Sequence, residues 1–268
     1  MGRTRILLAF GALLAAALLA AGCGDNDNGG GGGNLNLITE GTLTIGSDIP
    51  YPPFEQGKPP DYKGFDVELM DAIAEKLNLD PKWVDTSFGT IFADLQAGKF
   101  DIVASATTIT PGRSKRVLFS DPYFDSDQAL TVQEGSSIQS IDDITSSSTV
   151  AVQEGTTGQE YAEQHTDATL QKYPGGVPAF QAVANGQADA SLQDLPVSSD
   201  ATNKFPLEVV ETLPTGEQYG FPTQKTNTAL ADAVNGALKD VIADGTYEEI
   251  YKKWFNDEEP PDAYQPSS

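Results

Sequence analysis

Apolar residues in this chain repeat first with the period of a strand, then with that of a helix, and then again. Residues 42–46 (T-L-T-I-G) alternate as a strand. Residues 64–77 place Phe65, Leu69, Ile73 and Leu77 at every fourth position with acids opposite, which predicts an amphipathic helix. A short strand at 82–84 follows. A helix over Phe88–Gln96 then turns Ile91, Phe92 and Leu95 inward and stops near Gly98. Residues 100–104 form the next strand. The alternation resumes with a strand at Thr149–Gln153, a helix at 159–164, a helix at 178–185 and a strand at 188–192. Short strands at 207–210 and 219–221 precede helices at 226–244 and 246–255. Such alternation predicts an α/β sheet architecture, in which ligands sit beyond the carboxyl ends of the strands.

Those strand ends carry the chemistry. After the 100–104 strand come Ser105, Thr107, Thr108 and Thr110, small hydroxyls with free backbone groups. Pro111 can open a short helix, and Arg113 falls one turn along. Small polar groups beside one guanidinium suit a carboxylate, whose two oxygens match the planar fork. The same stretch also reads as a surface turn with an ordinary Arg. The first strand ends at Ser47-Asp48, and the proline-rich loop behind it holds Asp48, Tyr51 and Phe54 in fixed positions. Residues 154–158 (E-G-T-T-G) precede a helix, either as an anion seat or as a plain cap. No Gly-Lys-Ser/Thr follows, so this is not a nucleotide-phosphate loop. Asp194 closes the 188–192 strand with a carboxylate.

The chain has 268 residues, 39 acids against 16 Lys and Arg, and a formal charge of -23. That balance disfavours nucleic acid, whose phosphates would be repelled. There is one Cys, so no intramolecular disulfide forms, and one His, so neither a His-based triad nor a His-rich metal cluster is available. No cofactor or metal is expected; the acids lack the spacing of a metal loop. Residues 1–22 read as a targeting segment, with Arg3 and Arg5 before an apolar run too short to be a membrane span. Ala20-Ala21-Gly22-Cys23 resembles a lipobox, which makes Cys23 the expected lipid attachment. Residues 23–34 are Gly-rich and read as a flexible tether, spanning on the order of 15–20 Å. The acidic, proline-containing tail 258–268 is expected to be disordered.

The segments G-S-D-I-P-Y-P-P-F, G-F-D-V-E-L-M-D-A-I-A, T-T-I-T-P-G-R-S-K-R-V-L-F-S-D-P-Y-F and D-G-T-Y-E-E-I-Y-K-K-W-F together resemble the extracellular solute-binding proteins, family three, of polar amino-acid ABC importers. The resemblance covers about residues 41–256. It implies a two-lobed periplasmic-binding-protein fold with two crossing hinge strands, near 130–132 and 218–221. Lobe one would be 35–129 with 219–257, and lobe two 130–218. Binding proteins of this class close by hinge motion, and the resemblance carries that expectation here. It also implies residue roles. Arg113 would grip the ligand α-carboxylate, helped by the N–H groups of Thr108 and Thr157. Asp194 would take the α-ammonium, with the Thr108 hydroxyl and the Ala106 carbonyl. Tyr51 and Phe88 would sandwich the side chain, and Asp48 would face its tip. Ser105 and Ala106 would leave room beside the ligand, and Gln153 and Glu154 would line the lobe-two edge.

Two functions from different classes follow. The first is a transport receptor, lipid-anchored on the outer face of the cell membrane or in the periplasm, that delivers a free amino acid to an ABC permease and its ATPase. The second is an enzyme on the same scaffold, such as a dehydratase of prephenate-like acids. An enzyme would need a general acid, with Glu154 or Asp48 as candidates, and more cations than Arg113. The expectation is a receptor, not an enzyme. Asp48 between two rings favours a cationic tip, hence Arg, Lys or ornithine, with Gln as runner-up. No second cation is placed to receive an acidic side chain.

Overall fold

The computed structural model describes residues 34–266. The targeting segment, Cys23 and all but the last residue of the expected tether lie outside the described residues. The first sheet opens with β1 (Thr42–Ser47), whose Leu43 and Ile45 are fully buried. A hairpin of β2 (Gln56–Lys58) and β3 (Asp61–Lys63) follows the proline loop. Its residues are polar and its strands short, so no apolar period announced it. Gly64 then turns the chain into α1 (Phe65–Lys76) at φ 145°; a Cβ there would strike the Phe54 carbonyl. The buried face of α1 is Phe65, Leu69 and Ile73, as its period predicts.

Next come β4 (Asp80–Asp85), α2 (Phe88–Gln96), β5 (Ile102–Val103), α3 (Pro111–Ser114) and β6 (Val117–Phe119). The chain then crosses into β7 (Phe124–Gln133), upstream of the crossing expected near 130–132. The second unit holds β8 (Thr149–Gln153), α4 (Thr157–His165), β9 (Thr169–Tyr173), α5 (Gly176–Ala184), β10 (Ala190–Asp194), α6 (Leu195–Thr202) and β11 (Leu207–Tyr219). The return is β12 (Pro222–Gln224), α7 (Thr228–Ala243) and α8 (Thr246–Trp254).

Two five-stranded sheets result, one per lobe. The first runs β4-β1-β5-β12-β6, with β1 parallel to β4 and β5 and the returning β12 antiparallel to β5 and β6. The second runs β11-β7-β10-β8-β9, with β8 parallel to β9 and β10 and β7 antiparallel to β10 and β11. β7 and β11 pair from Phe124↔Tyr219 to Gln133↔Leu207 and form the double connection between lobes. The two short strands expected at 207–210 and 219–221 are therefore mostly one strand. Pro214 and Gly216 would disrupt a central strand, but β11 is an edge strand with two register shifts, where both are tolerated.

Aromatic rings fasten this ribbon to lobe one. Phe54 packs edge-on against Phe124 at 5.1 Å and Tyr219 at 5.4 Å, and Phe255 of the chain's end joins at 5.8 Å. Tyr123 stacks on Phe221 at 4.0 Å. Each such pair contributes about 0.5–1.5 kcal/mol beyond the burial of its area. The tail departs from expectation. Residues Asp262–Tyr264 form a 3-10 turn, and Tyr264 is buried, its ring 5.7 Å from Tyr247 and its hydroxyl donating to Asp125 at 2.9 Å. One aromatic with a polar tip outweighs the acidic, proline-rich context that suggested disorder.

Candidate functional site

A cavity lies between the lobes, and all nine residues expected at a ligand line it: Asp48, Tyr51, Phe88, Ser105, Ala106, Thr108, Arg113, Thr157 and Asp194. Gln153 and Thr156 complete the wall. Glu154, the other lobe-two residue considered, is exposed and is not part of it. The strand ends explain the convergence. β1 and β5 deliver Asp48 and Ser105–Thr108 from lobe one, while β8 and β10 deliver Gln153 and Asp194 from lobe two.

Arg113 sits in α3, a short helix capped by Thr110, whose hydroxyl accepts the Arg113 N–H at 3.1 Å. Only 5% of the residue is exposed. Its guanidinium donates to the Thr108 carbonyl at 2.9 Å and, across the cleft, to the Gly155 carbonyl at 3.1 Å. Its carbon lies 5.3 Å from the Phe88 ring centre and 5.2 Å from that of Phe92. It forms no ion pair with any described carboxylate. Burial lowers its pKa, while Glu160, Glu217 and Asp194 pull it back up. A buried cation with spare donors and no counter-ion is a seat for an anion.

Asp194 is the opposite pole. It accepts from the hydroxyls of Tyr51, at 3.1 Å, and Tyr219, and from the amide of Gln128. Burial, then the nearby charge of Glu217, raises its pKa to about 7 against the opposing pull of these donors. Tyr51 therefore does more than offer a ring face: its hydroxyl joins the lobes. Asp48 is half-buried and accepts from the Gln153 amide across the cleft. Burial lifts its pKa to about 7 as well, with Asp85 adding to the rise and Gln153 and the Phe88 N–H opposing it.

The remaining lobe-one residues are held from behind. The Ser105 hydroxyl accepts the Asp48 N–H at 3.0 Å, so it shapes the cavity through Asp48. Ala106 adopts φ 41°, a left-handed conformation costly for a residue with a Cβ. Its N–H is tied at 2.8 Å to Asp66, which also accepts from Tyr123 at 2.7 Å. Asp66 and its neighbour Glu55 are both fully buried, and burial lifts both carboxyls, that of Asp66 to about 6.

Three residues escaped the sequence reading: Gln128, Glu217 and Tyr219. Glu217 accepts from the hydroxyls of Thr108 at 2.7 Å and Thr157 at 2.8 Å, and from the Gln128 amide at 3.0 Å. All three lie on the β7–β11 ribbon; Gln128 and Glu217 fall outside the hinge strands expected near 130–132 and 218–221, and no local pattern marks them as facing a ligand.

A site with one buried cation and one buried anion on opposite walls suits a zwitterion, and the comparisons with known proteins agree. Residues 43–257 match the bacterial extracellular solute-binding proteins, family 3. The glutamine-binding protein GlnH of a Bacillus subtilis (strain 168) ABC transporter is 34% identical over 203 residues, covering 73% of this chain and 74% of that protein. An ancestral arginine-binding protein bound to glutamine superimposes with a TM-score of 0.77 at 36% identity, covering 82% of this chain and 100% of that one. The ancestral amino acid-binding protein AncCDT-1, a precursor of cyclohexadienyl dehydratase, gives 0.76 at 39% identity, covering 80% of this chain and 96% of that one. With its two-lobed α/β fold, its cleft and this match, the chain belongs to the bacterial extracellular solute-binding proteins, family 3, the extracytoplasmic binding-protein class of amino-acid ABC transporters.

Proposed function

We propose that this protein captures a free amino acid with a donor-rich, cationic side chain (Arg, Lys or ornithine) and delivers it to an ABC permease and its ATPase. The observation that carries the reading is the pair of opposite buried charges, Arg113 and Asp194, facing one cavity from different lobes. Arg113 and the N–H groups of Thr108 and Thr157 hold the α-carboxylate; Asp194, the Thr108 hydroxyl and the Ala106 carbonyl hold the α-ammonium. The two lobes close about the β7–β11 ribbon, because only a closed cleft satisfies both ends of the zwitterion. The side chain lies between Tyr51 and Phe88 and points at Asp48.

The far end of the cavity favours a donor. Asp48 accepts, and the Gln153 carbonyl oxygen is buried with no partner, so two acceptors meet there. A guanidinium or ammonium satisfies both. The amide of glutamine satisfies them with less charge, which makes glutamine the second reading. A dehydratase acting on an acid with two carboxylates would need a further cation, and among the described residues Arg113 is the one cation lining the cavity. Calorimetric titration with the twenty amino acids plus ornithine tests the proposal. Tightest binding of arginine, lysine or ornithine supports it, tightest binding of glutamine moves it to the second reading, and turnover of prephenate would replace it.

Lipid attachment at Cys23 is part of the same proposal, supported by the lipobox-like A-A-G-C and the Gly-rich tether. Cys23→Ala is expected to move the protein from the membrane to the soluble fraction of cells with unchanged ligand affinity. Equal membrane retention of the variant argues against the anchor.

A further inference from the structure

Glu217 is a carboxylate at the crossing of the two lobes whose oxygens are both engaged. One oxygen, Oε2, accepts the hydroxyl of Thr108, from the lobe-one loop after β5, and the hydroxyl of Thr157, from the start of α4 in lobe two. The other, Oε1, accepts an N–H of the Gln128 amide. The same amide nitrogen donates to Asp194, and Gln128 itself is fully buried. Glu217 does not line the cavity, but both hydroxyls it receives belong to residues that do.

A hydroxyl has one proton to give. When Thr108 and Thr157 donate it to Glu217, both oxygens are left as acceptors; that of Thr157 also takes a Gln128 amide N–H at 3.3 Å and keeps one lone pair for the cavity. Two hydroxyls that could serve either a donor or an acceptor are thereby turned into acceptors. We propose that Glu217 is a positioning residue that sets the polarity of the ammonium end of the site, holding Thr108 and Thr157 as acceptors from opposite lobes so that the cleft selects a ligand bearing an α-ammonium. This rests on the amino-acid reading of the cavity and adds the reason that its ammonium end rejects an uncharged α-substituent.

In Glu217→Gln the Gln128 N–H still faces position 217 and requires the new carbonyl oxygen there. The new NH2 is then turned toward Thr108 and Thr157. Both hydroxyls become acceptors of that amide and point their own protons into the cavity, against the ammonium. Shape is kept while polarity is reversed.

The test is calorimetric titration of wild type and E217Q with L-arginine and L-glutamine and with the 2-hydroxy acid analogue of each. E217Q is expected to lose about tenfold to a few hundredfold in affinity for the amino acids, the range of a hydrogen bond to a charged group. Its affinity for the 2-hydroxy acids should change by less than about threefold. The discrimination between the two classes should therefore collapse. Adding Thr108→Val to E217Q should cost little beyond E217Q alone, because the hydroxyl through which Glu217 acts is already misdirected. Equal loss for amino and hydroxy acids, or additive effects of the two substitutions, would overturn the proposal and leave Glu217 a structural residue. A wild-type protein that binds neither these probes nor any other of the twenty amino acids or ornithine would overturn the amino-acid reading instead, and the proposal with it.

Discussion

Asp48 and Asp194 are the same residue type at comparable places, one just past the end of β1 and the other at the end of β10, and burial raises both to about 7. Their surroundings differ. Asp194 is locked by Tyr51, Tyr219 and Gln128 and backed by Glu217 through the shared Gln128 amide. Asp48 is half-buried and meets a single side-chain donor, Gln153, from the other lobe. A carboxylate with three fixed donors presents one geometry and suits the end of the ligand that every amino acid shares. A carboxylate with one adaptable partner suits the end that varies. On the proposed amino-acid reading, the site separates class recognition from side-chain choice by how rigidly each acid is held, not by the acid itself.

The comparison breaks most visibly at the rigid end. Asp194→Asn, and Arg113→Met at the opposite pole, should each weaken every amino acid alike by about 2–5 kcal/mol, the cost of truncating one partner of a desolvated charge pair. That is roughly thirtyfold to several thousandfold in Kd. Loss confined to one ligand in calorimetric titration would mean that these residues do not hold the shared groups.

Asp48→Asn should act more gently and unequally. For arginine or lysine the expected loss is about 1.5–3 kcal/mol, since the charged tip loses a charged partner. For glutamine it stays within about 1 kcal/mol, because an amide still pairs with an amide. Equal losses for arginine and glutamine in titrations of the variant would remove Asp48 from side-chain selection.

The smallest effect is on pH, and it sharpens the comparison. Burial raises the pKa of both acids to about 7, above the ordinary value of 3.8. The folded chain thus binds more protons than the unfolded chain between about pH 4 and 7, so its stability falls as pH rises through that window. Ligand cations favour the ionised form, so affinity should rise with pH up to about 7 and level off above it. Arginine engages both acids and glutamine's charge engages only Asp194. The slope of log affinity against pH should approach about two for arginine and about one for glutamine. Identical slopes, measured between pH 5 and 8, would mean that the two acids do not divide the ligand between them.

Much of this was legible in the sequence for a definite reason. The faces of α1 and α2 and the strand Thr149–Gln153 follow from apolar periods that are local properties of the chain. The cavity residues were legible too, because Asp48, Arg113 and Asp194 follow strand ends, where an α/β architecture puts its ligands, and because the motifs around them resemble those of a known family. The polar hairpin β2–β3, the continuity of β11 and the burial of Tyr264 were not, since each depends on a neighbour supplied from elsewhere in the fold.

Local stretches of the chain were enough for the alternating elements and the charges available at each strand end, while the lobe pattern came from the family resemblance. Only the tertiary structure decided what those charges touch. The contact of Thr108 with Glu217 spans 109 residues, that of Tyr51 with Asp194 spans 143, and that of Asp48 with Gln153 spans 105. A hydrogen bond fixes its donor and acceptor within about 3 Å, and no local period carries that information across such separations. Which hydroxyl gives its proton to which acid, and so which groups face a ligand as donors or acceptors, exists only once the two lobes meet.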